Sequence, residues 1–316
     1  MVAHNAGAWL GPAVRSVLGQ TWPSLELMLI DNASTDGSVE GLPRDDPRLR
    51  IRRMPANLGQ VGGWRAGLEH CRGGWLAMMD ADDLALPGRL EAQMRFLREH
   101  PGIDVVTTLA DEIDEHDRRR GPAFTLIAED EIRAYAEFDM PVRFNTALLS
   151  RSFAARVGFA PDFSWAGDYE FLLRALAVGR VACLPEVHYL YRIHTGSMTG
   201  HGRARQILSA SFARLRHAAG QRRSGEVLAS EAEERRWLDR SDLDSVAVHR
   251  LFARRTLAAR LPTLGVFHAR RARSPFWLAR ALAQGIAVEP ARFGFLVRLA
   301  LWGPVRALRV RSTVLR

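Results

Sequence analysis

The stretch Gly73-Gly74-Trp75-Leu76-Ala77-Met78-Met79-Asp80-Ala81-Asp82-Asp83 is an apolar run of five residues, opened by two glycines and stopped by three carboxylates within four positions. A run this short, bounded by turn residues, reads as a buried strand over Trp75–Met79. The same form recurs at Leu25–Ile30, which ends at Asp31, and in Ile103–Thr107 and Val181–Leu184. Helical patterns lie between these runs at Trp9–Leu18, Gly62–Cys71, Arg89–Arg98 and Tyr169–Val178. Strands alternating with helices of about ten residues predict an α/β domain, a mostly parallel sheet with helices on both faces. In such sheets ligands bind beyond the carboxyl ends of the strands, where two of these runs terminate in aspartate.

All 44 basic residues are arginine. Without lysine the chain can make no GxxxxGK[ST] phosphate loop, no pyridoxal-phosphate Schiff base and no kinase strand lysine. Its two cysteines, Cys71 and Cys183, have no metal-ligand spacing and form no disulfide framework. The opening MVAHNAG lacks the basic-then-apolar pattern of a secretory leader, so the expected setting is cytoplasmic. Charge divides the chain: residues 1–199 carry 21 Arg against 27 acids, and residues 200–316 carry 23 Arg against 8. The first region is expected to be the α/β domain. The second reads as an Arg-rich helical region, with helices at His201–Ala219, Ser230–Ala259, Pro275–Ile286 and Arg292–Trp302.

Three carboxylates at one strand end repel one another unless a cation or a donor-rich ligand sits among them. Asp80, Asp82 and Asp83 therefore point to Mg²⁺ or Mn²⁺ with phosphate oxygens, the alternative being a solvated acidic turn. Asp31-Asn32, followed by small residues, suits the edge of a nucleobase or, equally, an Asx turn. Asp168, with Glu170 close behind it, precedes an amphipathic run, the position of a helix N-cap. In Tyr191-Arg192-Ile193-His194, strand alternation sends Arg192 and His194 to one face, where both could reach a diphosphate or its metal.

The ordered segments HNAGAWLGPAVRSVLGQTWPSLELMLIDNASTDGS, NLGQVGG, GGWLAMMDADDLALPGRLEAQMRFL, GDYEFLLRAL and YRIHTGSMT resemble the family 2 inverting glycosyltransferases of the GT-A fold, over residues 1 to about 199. The resemblance implies a Rossmann-like nucleotide-sugar half (about 1–109) and an acceptor half (about 110–199). It also implies a nucleotide-diphosphate-sugar donor, a divalent metal, and a glycan or lipid-linked acceptor. Asp31 would contact the base, and Asp80 and Asp82 the ribose and metal. Asp83 and His194 would join the metal, Arg192 would approach the diphosphate, and Asp168 would be the general base. Two departures stand out. The first strand is reduced to Met1-Val2-Ala3-His4-Asn5, and Gly167 takes the glutamate position of the usual Glu-Asp pair.

Two rival readings are a phosphohydrolase of the Asp-nucleophile type and a non-catalytic scaffold. The first wants a downstream lysine, and there is none. A homodimer is a further expectation, and no nucleic-acid-binding module is recognisable. From Arg250 onward there are 14 Arg and one acid, Glu289, with aromatic residues interleaved. That composition suits the surface of an anionic bilayer, at about 1 kcal/mol per basic residue. Two readings of residues 265–316 follow: they hold the protein on the inner face of the cell membrane, or they pack on the first region or a second subunit with their arginines solvated. On the first reading, full-length protein should rise in flotation with anionic liposomes at low salt and not at high salt, and truncation after residue 264 should abolish the effect. A truncated protein that floats unchanged refutes that reading.

Overall fold

The computed structural model describes residues 1–197 except 138, 162 and 164, and beyond them 205–207, 209–217, 253, 265, 268, 269 and 273–288. The chain divides into two compact units, Met1–His201 and Gly202–Arg316.

In the first unit Val2–Ala3 (β1), Leu27–Asp31 (β2) and Leu49–Arg53 (β3) form a parallel sheet in the order β1-β2-β3. Every residue of β2 is buried, because strand alternation gives each face a helix. Leu27 and Leu29 pack with Leu10 and Val14 of α1 (Leu10–Leu18). Met28 and Ile30 pack with Ala66 of α2 (Gly59–His70). β3 is an edge strand reading LRIRR, whose alternation is limited to Leu49 and Ile51, both packed on the cluster of Leu27 and Leu29.

The second sheet contains Trp75–Ala77 (β4), Leu84–Ala85 (β5), Val105–Ile113 (β6), Arg119–Pro122 (β7), Leu148–Ser150 (β8) and Val181–Arg192 (β9). Its order is β4-β8-β6-β9-β5, with β7 paired to β6. β6 and β9 run parallel, and the other four pairings are antiparallel. The α/β class stands, but the sheet is mixed rather than mostly parallel. The reason lies between residues 114 and 150. There the chain returns through a tight hairpin, closed by Asp114 accepting from the His116 and Arg118 N–H groups, and then sends β8 back between β4 and β6. A hairpin return needs no crossover helix.

Helices α3 (Arg89–Glu99), α4 (Glu129–Ala136), α5 (Arg151–Val157) and α6 (Gly167–Val178) complete the unit. Ser150 caps α5 by accepting from the Phe153 N–H at 3.1 Å. α6 is anchored by Phe171, whose ring lies 5.4 Å from Phe144 and 4.8 Å from Phe159. In the second unit the described residues between 205 and 217 are helical, and Pro275–Val288 forms α7. Arg273 lies before α7 with φ 48°, so it does not share a helical face with Arg280 and Gln284. The helices expected over Ser230–Ala259 and Arg292–Trp302, and most of 265–316, lie outside the described residues. No helix among the described residues is long and apolar enough to cross a membrane.

β1 joins the two sheets. Val2 pairs with Ile30 of β2 and bridges Asp80 just beyond β4, so β2 and β4 stand two strand spacings apart, about 9.6 Å. The Met1 amine donates to the Met28 carbonyl at 3.1 Å, and burial lowers its pKa to about 6. Alongside, a cavity of about 350 Å³ is lined by Leu27 and Met28 from β2 and by Trp75 and Leu76 from β4. α2 closes tightly over β1: a Cβ on Gly63 would fall 2.5 Å from Val2 Cγ1, whereas one on Gly67 would make ordinary contact, 3.8 Å from Ile30 Cγ1. Gly67→Ala should therefore stabilise the protein by about 0.5–1 kcal/mol through helix propensity. Gly63→Ala should destabilise it by about 1–3 kcal/mol through overpacking. Urea unfolding of the two variants tests the pair, and shifts of the same sign would contradict this packing.

Candidate active site

Beyond β4 the chain turns through Asp80–Asp83 into β5, and Asp80, Asp82 and Asp83 each bring a carboxylate oxygen within 4.8 Å of the others. Asp83 is buried, accepting from Asn145 Nδ2 at 2.7 Å and from the Arg192 N–H at 2.7 Å. The Asp80 N–H donates to the Tyr189 hydroxyl at 3.3 Å. Burial first, then the charges of Asp82 and Asp168, push Asp80 up to about 7. Burial with Asp80 and Asp82 raises Asp83 well above the usual carboxylate range. A cluster that holds protons this tightly is one whose charge a hard divalent cation would neutralise, and its oxygen donors suit Mg²⁺ or Mn²⁺.

β9 delivers Arg192 and His194 to this turn. His194 Nε2 donates to Asp82 Oδ2 at 2.9 Å, its ring lies 4.2 Å from Trp9, and its Nδ1 is buried without a hydrogen-bond partner. Arg192 reaches the turn differently from the sequence expectation. Its guanidinium is buried and donates to the Asp82 carbonyl at 2.6 Å, to the Asp114 carbonyl at 2.9 Å, and to Asp117 at 2.6 Å. It fastens the acid turn to the β6–β7 hairpin, with its donors engaged by the protein. Ser197 donates to the His194 carbonyl at 3.0 Å, while Thr199 lies outside the described residues.

Asp31 ends β2 fully buried, accepting from the Ser34 N–H at 2.9 Å and from Arg53 Nε at 2.7 Å. Burial pushes its carboxyl up, but these two donors hold it below its ordinary value. Asn32 is a clamp: it donates to Asn57 and the Gly59 carbonyl and accepts from the Leu58 N–H, tying the end of β2 to the start of α2.

Asp168 lies in the first turn of α6. The N-cap position is Ala166, which makes no side-chain cap, so the capping role falls away. Half-buried, Asp168 accepts from the Tyr169 N–H at 2.9 Å, and desolvation raises its pKa. Glu170 is tied by two 2.6 Å contacts to Arg174, so Asp168 is the available carboxylate. At Gly167 a Cβ would overlap Val61 Cγ2 of α2, which explains why this chain has no glutamate there. Arg143 lies over the Tyr191 ring at 4.6 Å, 3.7 Å from Glu112, and its charge acts to lower the pKa of Asp168.

Sequence reading misses Asn145, Tyr189 and Arg89. Each is buried; Asn145 and Tyr189 are brought to the acid turn from distant segments, whereas Arg89 opens the helix that follows it and turns its side chain inward.

The sequence profile of Glycosyl transferase family 2 matches residues 1–159. The amylovoran biosynthesis glycosyltransferase AmsE of Erwinia amylovora is 30% identical over 192 residues, covering 60% of this chain and 71% of that protein. The succinoglycan biosynthesis protein ExoO of Rhizobium meliloti is 27% identical over 219 residues, 63% of this chain and 61% of that one. An uncharacterized glycosyltransferase of Haemophilus influenzae is 26% identical over 215 residues, 63% and 67% respectively. The matches thus span about two thirds of these relatives' length. Among solved structures, S. aureus TarS 1-349 in complex with UDP-GlcNAc aligns over 99% of this chain and 89% of its own, with TM-score 0.59 and 14% identity. The mannosyltransferase PcManGT from Pyrobaculum calidifontis, in complex with GDP-Man and Mn²⁺, aligns over 99% and 82%, with TM-score 0.54 and 18% identity. At these identities the likeness shows the fold alone, and that fold is GT-A. Family membership sets the phosphohydrolase and scaffold readings aside. A profile match over half of the chain, together with a relative 30% identical and covered over 71% of its length, makes this protein a member of glycosyl transferase family 2 and a glycosyltransferase.

Proposed function

We propose that the enzyme moves a sugar from a nucleotide-diphosphate-sugar to a hydroxyl of a glycan or lipid-linked acceptor, with Mg²⁺ or Mn²⁺ and with inversion at the anomeric carbon. The observation that carries the reading is the acid turn, three carboxylates in mutual contact range whose nearest further charge includes Asp168 from a different element. Support for a nucleotide-sugar donor and a metal comes from the ligands named with TarS and PcManGT. Support for polysaccharide assembly comes from the names of ExoO and AmsE.

In this reading Asp82, Asp83 and His194 hold the cation, Asp80 and Asp82 meet the ribose, and Asp31 takes the base. Arg192 shapes the diphosphate end by fixing the Asp82 carbonyl. The cation supplies positive charge against the leaving diphosphate. Asp168 accepts the proton of the acceptor hydroxyl as its oxygen attacks the anomeric carbon and the diphosphate departs from the opposite face. Its desolvated carboxylate, with a proton affinity raised by burial, is the stronger base for that environment. Attachment to the cytoplasmic leaflet through residues 265–316 and pairing with a second copy belong to the same proposal.

Asp168→Asn keeps the shape of the side chain but accepts no proton. Transfer should fall by about 10²–10⁴ while donor affinity holds, as measured by calorimetry and product formation. A variant that loses thermal stability but keeps its turnover would show Asp168 to be structural. The acid turn also sets a pH dependence. Folded Asp80 binds its proton up to about pH 7, against about 3.9 in the unfolded chain, so it makes the metal-free protein lose stability as pH rises between those values. In EDTA, the melting temperature of Asp80→Asn should therefore gain on wild type as pH is raised from about 4.5 to 7.5. A difference that stays flat across that range would contradict the assignment.

A further inference from the structure

Arg89 opens α3 with its whole side chain inside the protein, 2% exposed, and no carboxylate bonds it. Nη2 donates to the Met78 carbonyl at 2.8 Å, the Asn145 carbonyl at 3.3 Å and the Ala147 carbonyl at 3.4 Å. Nε donates to Gln93 Oε1 at 3.3 Å, and Nη1 lies 3.8 Å from Met79 Sδ. The guanidinium stands 5.1 Å from the centre of the Tyr189 ring, the residue whose hydroxyl accepts from the Asp80 N–H. Gln93 is itself fully buried and donates to the Val106 and Thr146 carbonyls. Burial lowers Arg89 only to about 10, so it is a cation at neutral pH.

Two places converge on this fork. Met78 and Met79 lead directly into Asp80, and the 3-10 turn Phe144–Thr146 carries Asn145, whose amide holds Asp83. Arg89 is the side chain that binds both, through three main-chain carbonyls that converge on Nη2, while Nε and Nη1 seat the guanidinium against Gln93 and Met79. An isolated buried cation is costly, and a fold keeps one only where its donors are satisfied. Here they are satisfied by the two segments that must hold the acid turn in register.

We infer that Arg89 is a positioning residue for the acid turn: its Nη2 locks the residues that follow β4 to the turn bearing Asn145 and so fixes the spacing of Asp80, Asp82 and Asp83 for a divalent cation. This rests on reading that turn as the metal site. The probe is Mn²⁺ alone, titrated into the full-length protein and followed by the electron paramagnetic resonance of the free ion. Arg89→Met should weaken Mn²⁺ binding about tenfold or more, the usual effect of removing a group that orients metal ligands. Arg89→Lys keeps the charge, but its nitrogen ends one bond short of the Nη2 position and loses the Gln93 contact, so it should stay within about threefold of Arg89→Met. Arg174→Met supplies the control for general loosening. Arg174 bonds Glu170 and the Val157 and Gly158 carbonyls in the same unit, and its loss should lower the melting temperature without moving Mn²⁺ affinity. If Arg89→Met fails to fold, Gln93→Leu, which removes the Nε partner, should weaken Mn²⁺ about threefold. Unchanged Mn²⁺ affinity in Arg89→Met (or in Gln93→Leu where that variant stands in), full recovery in Arg89→Lys, or an equal loss in Arg174→Met would each overturn the inference. Asp82→Asn separates the two levels: if it binds Mn²⁺ as wild type does, the metal reading fails whatever Arg89 does.

Discussion

Asp80, Asp82 and Asp83 repel one another, and much of the first unit is arranged to hold them together regardless. Asn145 and the Arg192 N–H occupy Asp83, Tyr189 receives the Asp80 N–H, and His194 faces Asp82. Three of these four come from β9 or just beyond it, which accounts for a strand of 12 residues in a sheet whose other members are mostly shorter. The hairpin after β6 has its place for the same reason, since Asp114 and Asp117 immobilise the guanidinium of Arg192 behind the turn. Burial, and the repulsion that the protein does not cancel, are left as proton affinity on Asp80 and Asp83.

The aspartates at the end of β2 and just beyond β4 were legible because a short apolar run stopping on a carboxylate marks the carboxyl end of a strand in an α/β sheet. The helices at Leu10–Leu18, Gly59–His70, Arg89–Glu99 and Gly167–Val178 were legible from their period. β3 was not, since in LRIRR only Leu49 and Ile51 alternate towards the core, too short a pattern beside three arginines, and its register is set by main-chain pairing with β2. β8 was equally silent: it is three residues long, and its antiparallel partners lie far from it in sequence. Arg192 shows the limit of strand alternation, which finds the face but not the acceptors. It does come to the acid turn, yet its donors are taken by carbonyls that no pattern of residues could forecast. Asn145 lies in a stretch without a readable motif and is recognisable only once Asp83 is seen beside it.

Gly167 illustrates how packing edits a sequence motif. The close approach of α2 to α6 through Val61 leaves no room for a side chain, so a glutamate cannot be built at that position without moving a helix. Arg143, set above Tyr191, is electrically coupled to Asp168 and acts to lower its pKa against the desolvation that raises it. In the proposed reaction the electrostatic surroundings of that one carboxyl group, and not of a pair, would govern how readily a hydroxyl is deprotonated.

The seam at β1 has a practical side. Both cysteines, Cys71 and Cys183, are buried, and Cys71 lines the cavity beside β1 together with Val2. A thiol-selective reagent therefore reaches Cys71 only when the packing around β1 opens. The rate of that modification is a clock for the opening of the joint between the sheets, readable by mass on peptides of the protein without any engineered tag.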